Sequence, residues 1–197
     1  MDAREGPSSA EEGRNAHDKK RFGISHVSGM PMKRVFRQRA HANPMSDGCF
    51  GQPLCPAHMD WSELYPVLKE DGGAEGRRSG YKGDGKVRFV DVGCGFGGML
   101  IELGKHFPDT LSLGMEIRSK VSKYVEERII SLRGQADESM RGNREGGSSA
   151  GHPHYQNVAV IRTNTMKYLL NYFEKGQLEK LFFLFADPHF KKKNHRR

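Results

Sequence analysis

The stretch VRFVDVGCGFGG, residues 87–98, constrains this chain more than any other part of it. A short β-rich run ends in a turn that holds four glycines. A pattern with Met99, Leu100, Leu103 and Phe107 on one face follows at helical spacing. Glycine in such a turn lets backbone approach a ligand closely, and strand, turn and helix together make the first unit of an α/β fold.

The same alternation continues downstream. TLSLGMEI (110–117) alternates Leu111, Leu113, Met115 and Ile117 as a strand does. Residues 119–133 read as a helix with Val121, Val125, Ile129 and Leu132 inward. VAVIRT (158–163) is a third strand and MKYLLNYF (166–173) a third, short helix. LFFLFA (181–186) is a fourth strand, apolar throughout, as expected of a strand covered on both faces. The pattern predicts an α/β domain over 87–197 with a mostly parallel sheet and right-handed crossovers.

Outside these elements the sequence is lean. Hydrophobic residues make up 36% and glycine numbers 24, which points to sizeable unstructured segments. Residues 1–31 read as a disordered tail and 70–86, with no aliphatic side chain before Val87, as a Gly-rich linker. Between them, 32–69 holds a basic arm and a cluster around Trp61, Leu64 and Tyr65 that is expected to pack on the domain. Residues 134–154 break the helical periodicity and read as a flexible insertion. Cys49, Cys55 and Cys94 form neither a disulfide framework nor a CxxC zinc spacing, which fits a reducing compartment. The N-terminus lacks the apolar core of a signal peptide, and no window is apolar enough to span a bilayer.

The net charge of +8 is clustered. Lys33, Arg34, Arg37 and Arg39 surround Phe36, and Lys191, Lys192 and Lys193 open a second run that continues to Arg197. A charge run is commonly a solvated face, but two such clusters also suit the phosphates of a nucleic acid, and both segments are candidate RNA contacts.

The turn itself is a candidate cofactor site. Gly93, Gly95 and Gly98 satisfy the GxGxxG pattern of dinucleotide enzymes, so the flanking acids must decide. Asp91 precedes the turn. A carboxylate there suits the cationic amino group of S-adenosylmethionine and repels a pyrophosphate, although an Asx turn would also explain it. Glu116 ends the second strand, where an acid accepts hydrogen bonds from both hydroxyls of a ribose. That need is common to S-adenosylmethionine and NAD. Asn164 and Thr165 close the third strand, placed either to reach an adenine edge or to cap the next helix. Asp187 follows the fourth strand at the acceptor side of the crevice, or caps the turn there.

Against these residues a resemblance is specific. The segments RQRAHANPMSD (37–47), MDWSELYP (59–66), DVGCGFGGMLIELGKHFPDT (91–110), LGMEIRSKVSKYV (113–125), NTMKYL (164–169) and KGQLEKLFFLFADPHFKKKNHR (175–196) resemble the eukaryotic tRNA (guanine-N7)-methyltransferases. The resemblance implies a Rossmann-like class I methyltransferase fold and transfer of a methyl group from S-adenosyl-L-methionine to guanine N7 in the tRNA variable loop. It also implies a nuclear location and a non-catalytic WD-repeat β-propeller subunit as partner. Carried over by motif, the cofactor residues are Gly93, Glu116, Ile117, Arg118, Asn164, Thr165 and Leu184, and Asp187 is the active-site acid.

Two departures qualify this reading. Ala186 stands where the family has proline before the acid. The family also continues beyond the position of Arg197 with further strands and helices, so the domain is expected to be incomplete at its C-terminus, with an unpaired apolar edge and little activity or solubility on its own. Two alternatives follow: a non-catalytic form that keeps tRNA or partner binding, and a nicotinamide-dependent oxidoreductase, for which the sequence offers no hydride-acceptor site.

Overall fold

The structure, a computed structural model, describes residues 29–39, 42, 44–45, 50–69, 81–142 and 155–184. In chain order it contains β1 Val87–Val92, α1 Gly98–His106, β2 Leu111–Glu116, α2 Ser119–Gly142, β3 Val158–Arg162, α3 Thr165–Tyr168 and β4 Lys180–Phe182. The strands form one sheet in the order β3-β2-β1-β4, and every pairing is parallel. The α/β architecture and parallel sheet expected from the alternation are present. The chain steps from β1 to β2 to β3 in one direction, then returns to the other side of β1. The carboxyl end of β1 therefore lies at the point where strand order reverses, the place where open parallel sheets bind ligands.

Both faces of the sheet are covered, and all six residues of β2 are buried. On one face Val87, Val90, Leu111, Leu113, Met115 and Ala159 pack with Tyr65, Tyr172 and Phe173. On the other, Val158 meets Leu100 and Ile101 of α1 and Tyr124, Val125 and Ile129 of α2. The Trp-containing segment serves as a layer of the first face, as expected, although it winds as three 3-10 turns, Pro56–His58, Trp61–Glu63 and Pro66–Leu68. Tyr65 is fully buried and its hydroxyl donates to the Ser112 carbonyl at 3.0 Å. The Trp61 ring stacks on Phe173, with centroids 5.8 Å apart.

Four elements differ from the sequence expectation. α2 runs on through residues 134–142 where the periodicity had stopped. One helical glycine costs only about 1 kcal/mol relative to alanine. Against that, Ala136 is buried, and the Arg133 guanidinium donates to the carbonyls of Tyr155, Val158 and Leu64 at 3.0, 2.7 and 3.3 Å. Phe107 is not on the inner face of α1; it lies past the helix end and is 41% exposed, because Pro108 bars it from helical backbone. Ile101 is buried in its place. α3 covers only Thr165–Tyr168 and passes into a 3-10 turn, Leu169–Asn171.

The fourth strand is the largest correction. Only Lys180–Phe182 pair, with β1 alone, and Leu181, Phe183 and Leu184 are exposed. Among the described residues β4 is an edge strand, and of its apolar run Phe182 is half-buried, edge-on to Phe89. Of the Gly-rich stretch, Tyr81 lies against the first core face and the Lys82 N–H donates to Asp109.

Candidate cofactor site

The turn after β1 is held by its neighbours. The N–H groups of Gly93 and Cys94 both donate to the Met115 carbonyl of β2, at 2.7 and 3.3 Å. Arg128 of α2 donates to the Phe96 carbonyl at 3.1 Å. Backbone of positive φ occurs at Gly93 (+70°), Gly95 (+54°) and Gly97 (+69°). The third glycine that matters is thus Gly97 rather than Gly98. A Cβ on Gly97 would lie 2.8 Å from Cγ1 of Val125, whereas Gly98 is already helical and open. At Gly93 a Cβ would meet nothing within 4 Å, so this stretch of the turn borders free space. The turn is a cradle whose backbone a ligand can approach.

Two carboxylates flank it. Asp91 and Glu116 are 5% and 3% exposed. Asp91 has no hydrogen-bond partner among the described residues, and burial, with Glu116 second, pushes its carboxyl up to about 6. Glu116 is firmly held. One of its oxygens accepts from the Arg118 N–H at 2.9 Å and Arg118 Nε at 3.0 Å; the other accepts from the Gly95 N–H at 3.1 Å and Arg118 Nη2 at 2.8 Å. Ile117, between them, is half-buried. Burial also pushes the Cys94 thiol well above its ordinary range. Two buried acids beside a glycine cradle suit a cationic ligand and disfavour a diphosphate. The residues present therefore fit the cationic aminoacyl group of S-adenosylmethionine, and a ribose hydroxyl would take the place of one of the hydrogen bonds that Arg118 and Gly95 now make to Glu116.

At the end of β3, Asn164 is 2% exposed. It occupies the helix-capping position before α3, with Thr165 as first helical residue, yet its side chain makes no capping bond. Its amide instead donates to the Pro44 carbonyl at 2.5 Å, tying the N-terminal arm to the crevice. Leu184 lies beyond β4, 46% exposed. The arm crosses the same region. Lys33 Nζ sits 5.5 Å from the Phe96 ring centroid, and Phe36 packs edge-on against Tyr124. Gln38 Oε1 accepts from the Lys120 N–H at 2.9 Å, capping the start of α2 from 82 residues away. Lys33, Arg34, Arg37 and Arg39 are exposed. Asp187 and Lys191, Lys192 and Lys193 lie outside the described residues.

Asp91, Gly93, Gly95, Glu116, Ile117 and Arg118 lie together at the carboxyl ends of β1 and β2, and Asn164 follows the neighbouring β3. Gly97, Gln38 and Arg128 carry no signal in the sequence, because their partners Val125, Lys120 and Phe96 are remote in it. No group of three or more potential metal ligands occurs among the described residues.

A strand, a glycine cradle and two buried acids at a switch point make a candidate ligand site of an α/β fold. The protein-family profile described as "putative methyltransferase" matches residues 85–197, and the chain belongs to that family. It is 50% identical over 174 residues to a "tRNA (guanine-N(7)-)-methyltransferase" of Arabidopsis thaliana, 88% of this chain and 61% of the relative. The proteins of that name from Danio rerio and Zea mays are 50% and 49% identical, each across 85% of this chain and 60% of their own length. The chain thus spans about 60% of the length of these relatives.

Proposed function

We propose that the protein transfers a methyl group from S-adenosyl-L-methionine to N7 of a guanine in tRNA. The observation that carries this reading is the pair of buried carboxylates, Asp91 and Glu116, on either side of a glycine cradle at the switch point of the sheet. Membership of a methyltransferase family and the names of the relatives support it.

When bound, the cofactor supplies a methyl group on a sulfonium centre, electrophilic without further activation. The chain's own residues then have three tasks. Asp91 offers a negative charge to the methionine ammonium, Glu116 accepts from the ribose hydroxyls, and Asn164 with Ile117 borders the adenine. Guanine N7 carries a free lone pair, so no proton has to leave before attack, and the protein has only to align nucleophile, methyl and leaving group. Asp187 is accordingly an acceptor for guanine N–H groups rather than a general base. Lys33, Arg34, Arg37 and Arg39, with Lys191, Lys192 and Lys193, take the phosphates. A WD-repeat propeller subunit and action on the variable loop in the nucleus complete the proposal.

The test is methyl transfer from labelled cofactor to unmodified tRNA by the full-length protein, alone and with the propeller. The label is expected at one guanine, where N7 methylation permits chemical strand cleavage. Label at another base, or none on tRNA in the presence of the propeller, overturns the proposal.

A further inference from the structure

Several cations of this chain are neutralised by a neighbouring acid. Lys86 pairs with Glu174, Arg88 with Asp84 and Glu179, and Lys105 with Glu102. Arg118 pairs with Glu116, and Lys123 with both Glu126 and Glu127. Lys33, Arg34, Arg37 and Arg39 of the arm are exposed and pair with no acid among the described residues. Lys120, in the first turn of α2, shares both properties.

The fold brings Lys120 to the arm. Gln38 Oε1 accepts from the Lys120 N–H at 2.9 Å and from Ser119 Oγ at 3.5 Å. Arg37 and Arg39 are the chain neighbours of Gln38, so they flank the turn from which the Lys120 side chain leaves the helix. Upstream, Phe36 fixes the arm edge-on against Tyr124, one turn further along α2, and Lys33 Nζ sits 5.5 Å from the Phe96 ring centroid in the glycine turn. The acids nearest in sequence are already engaged, Glu116 by Arg118 and Glu126 and Glu127 by Lys123. The Lys120 N–H is taken up by Gln38, so what the first turn of α2 leaves to an anion is the ammonium rather than the helix end.

We propose that Lys120 is a further RNA contact, and that it joins the basic arm in one phosphate-binding surface beside the cofactor crevice. A cation without an acidic partner is open to phosphate, and each phosphate it neutralises releases counterions, so the contact is read in the salt dependence of binding. Lys120 stands two residues after Arg118, which holds Glu116 at the crevice, so a strand bound there passes its mouth. Such a surface grips backbone and no base edge. It therefore positions the strand and does not select its sequence. The choice of tRNA as that strand rests on the function proposed above, whereas the grip on phosphate does not.

The experiment measures binding of unmodified tRNA and of a polyuridine strand to the full chain across a range of salt. It compares wild type with Lys120→Ala, Lys120→Arg and Lys105→Ala, the last removing a lysine already paired with Glu102. In Lys120→Ala the log–log salt slope is expected to flatten by about one unit for both RNAs, with binding several-fold weaker at low salt and the urea midpoint unchanged. Lys120→Arg, which keeps the charge, and Lys105→Ala are expected to keep the wild-type slope. A slope as steep in Lys120→Ala as in wild type overturns the proposal, whatever happens to affinity. A slope that depends on Lys120, beside tRNA bound no better than polyuridine and left unmethylated, overturns the tRNA function and leaves the phosphate surface standing. Wild type that binds neither RNA overturns both.

Discussion

Asp91 is kept in a place that its charge makes unfavourable, and Asp91→Asn measures the cost. The residue is 5% exposed, and burial, with the Glu116 charge second, pushes its carboxyl up to about 6 from the usual 3.8. A shift of about two units, at about 1.4 kcal/mol each, puts about 3 kcal/mol of folding free energy at stake. The direction follows from the raised value. At neutral pH the folded chain carries the ionised group and the full cost. As pH falls through about 6 the folded chain takes up the proton before the unfolded one does, and the cost is gone near pH 4. Asparagine keeps the shape and removes the charge, so Asp91→Asn is expected to stabilise the fold by about 1–3 kcal/mol at neutral pH, read as a higher urea midpoint at equal slope. The advantage should shrink as the two proteins are compared at lower pH. The same variant should bind S-adenosylhomocysteine more weakly, because the ammonium loses its partner. A variant no more stable than wild type at neutral pH, or an advantage that does not change with pH, refutes the reasoning.

Two further outcomes follow from the geometry. Gly97→Ala places a Cβ in left-handed backbone against Val125, and is expected to cost about 2–4 kcal/mol in urea denaturation, while Gly98→Ala, next to it and unobstructed, should stay within about 0.5 kcal/mol of wild type. Replacing Lys33, Arg34, Arg37 and Arg39 by alanine should weaken tRNA binding regardless of sequence and flatten its salt dependence by about one unit of log–log slope for each phosphate that the arm neutralises; an unchanged slope means that the arm does not touch phosphate.

The parts of the fold legible in the sequence were those that local order encodes. β1 follows the β-rich run, the turn follows its glycines, and Glu116 stands at the offset a second strand imposes. The inward face of α2 over Val121, Val125 and Ile129 came from a 3.6-residue period that packing then kept. What stayed hidden depends on interactions across the chain. α2 reaches Gly142 because Arg133 anchors it to backbone of β3 and of the Trp61 segment, which no period reveals. Gln38 caps α2 and Asn164 holds Pro44 only after the arm has folded across the crevice. The apolar run at 181–186 predicted burial, but hydrophobicity reports what a strand needs and not which neighbour supplies it; among the described residues Leu181 has only β1 beside it.

The central claim is that the cradle between Asp91 and Glu116 holds S-adenosylmethionine. Calorimetry with S-adenosylhomocysteine and with NAD, on the wild-type chain and on Glu116→Ala, tests it most directly. S-adenosylhomocysteine is expected to bind and NAD is not, with a loss of about 1–3 kcal/mol in Glu116→Ala, where the ribose hydroxyls lose a charged acceptor. Tight binding of NAD with none of S-adenosylhomocysteine would contradict it.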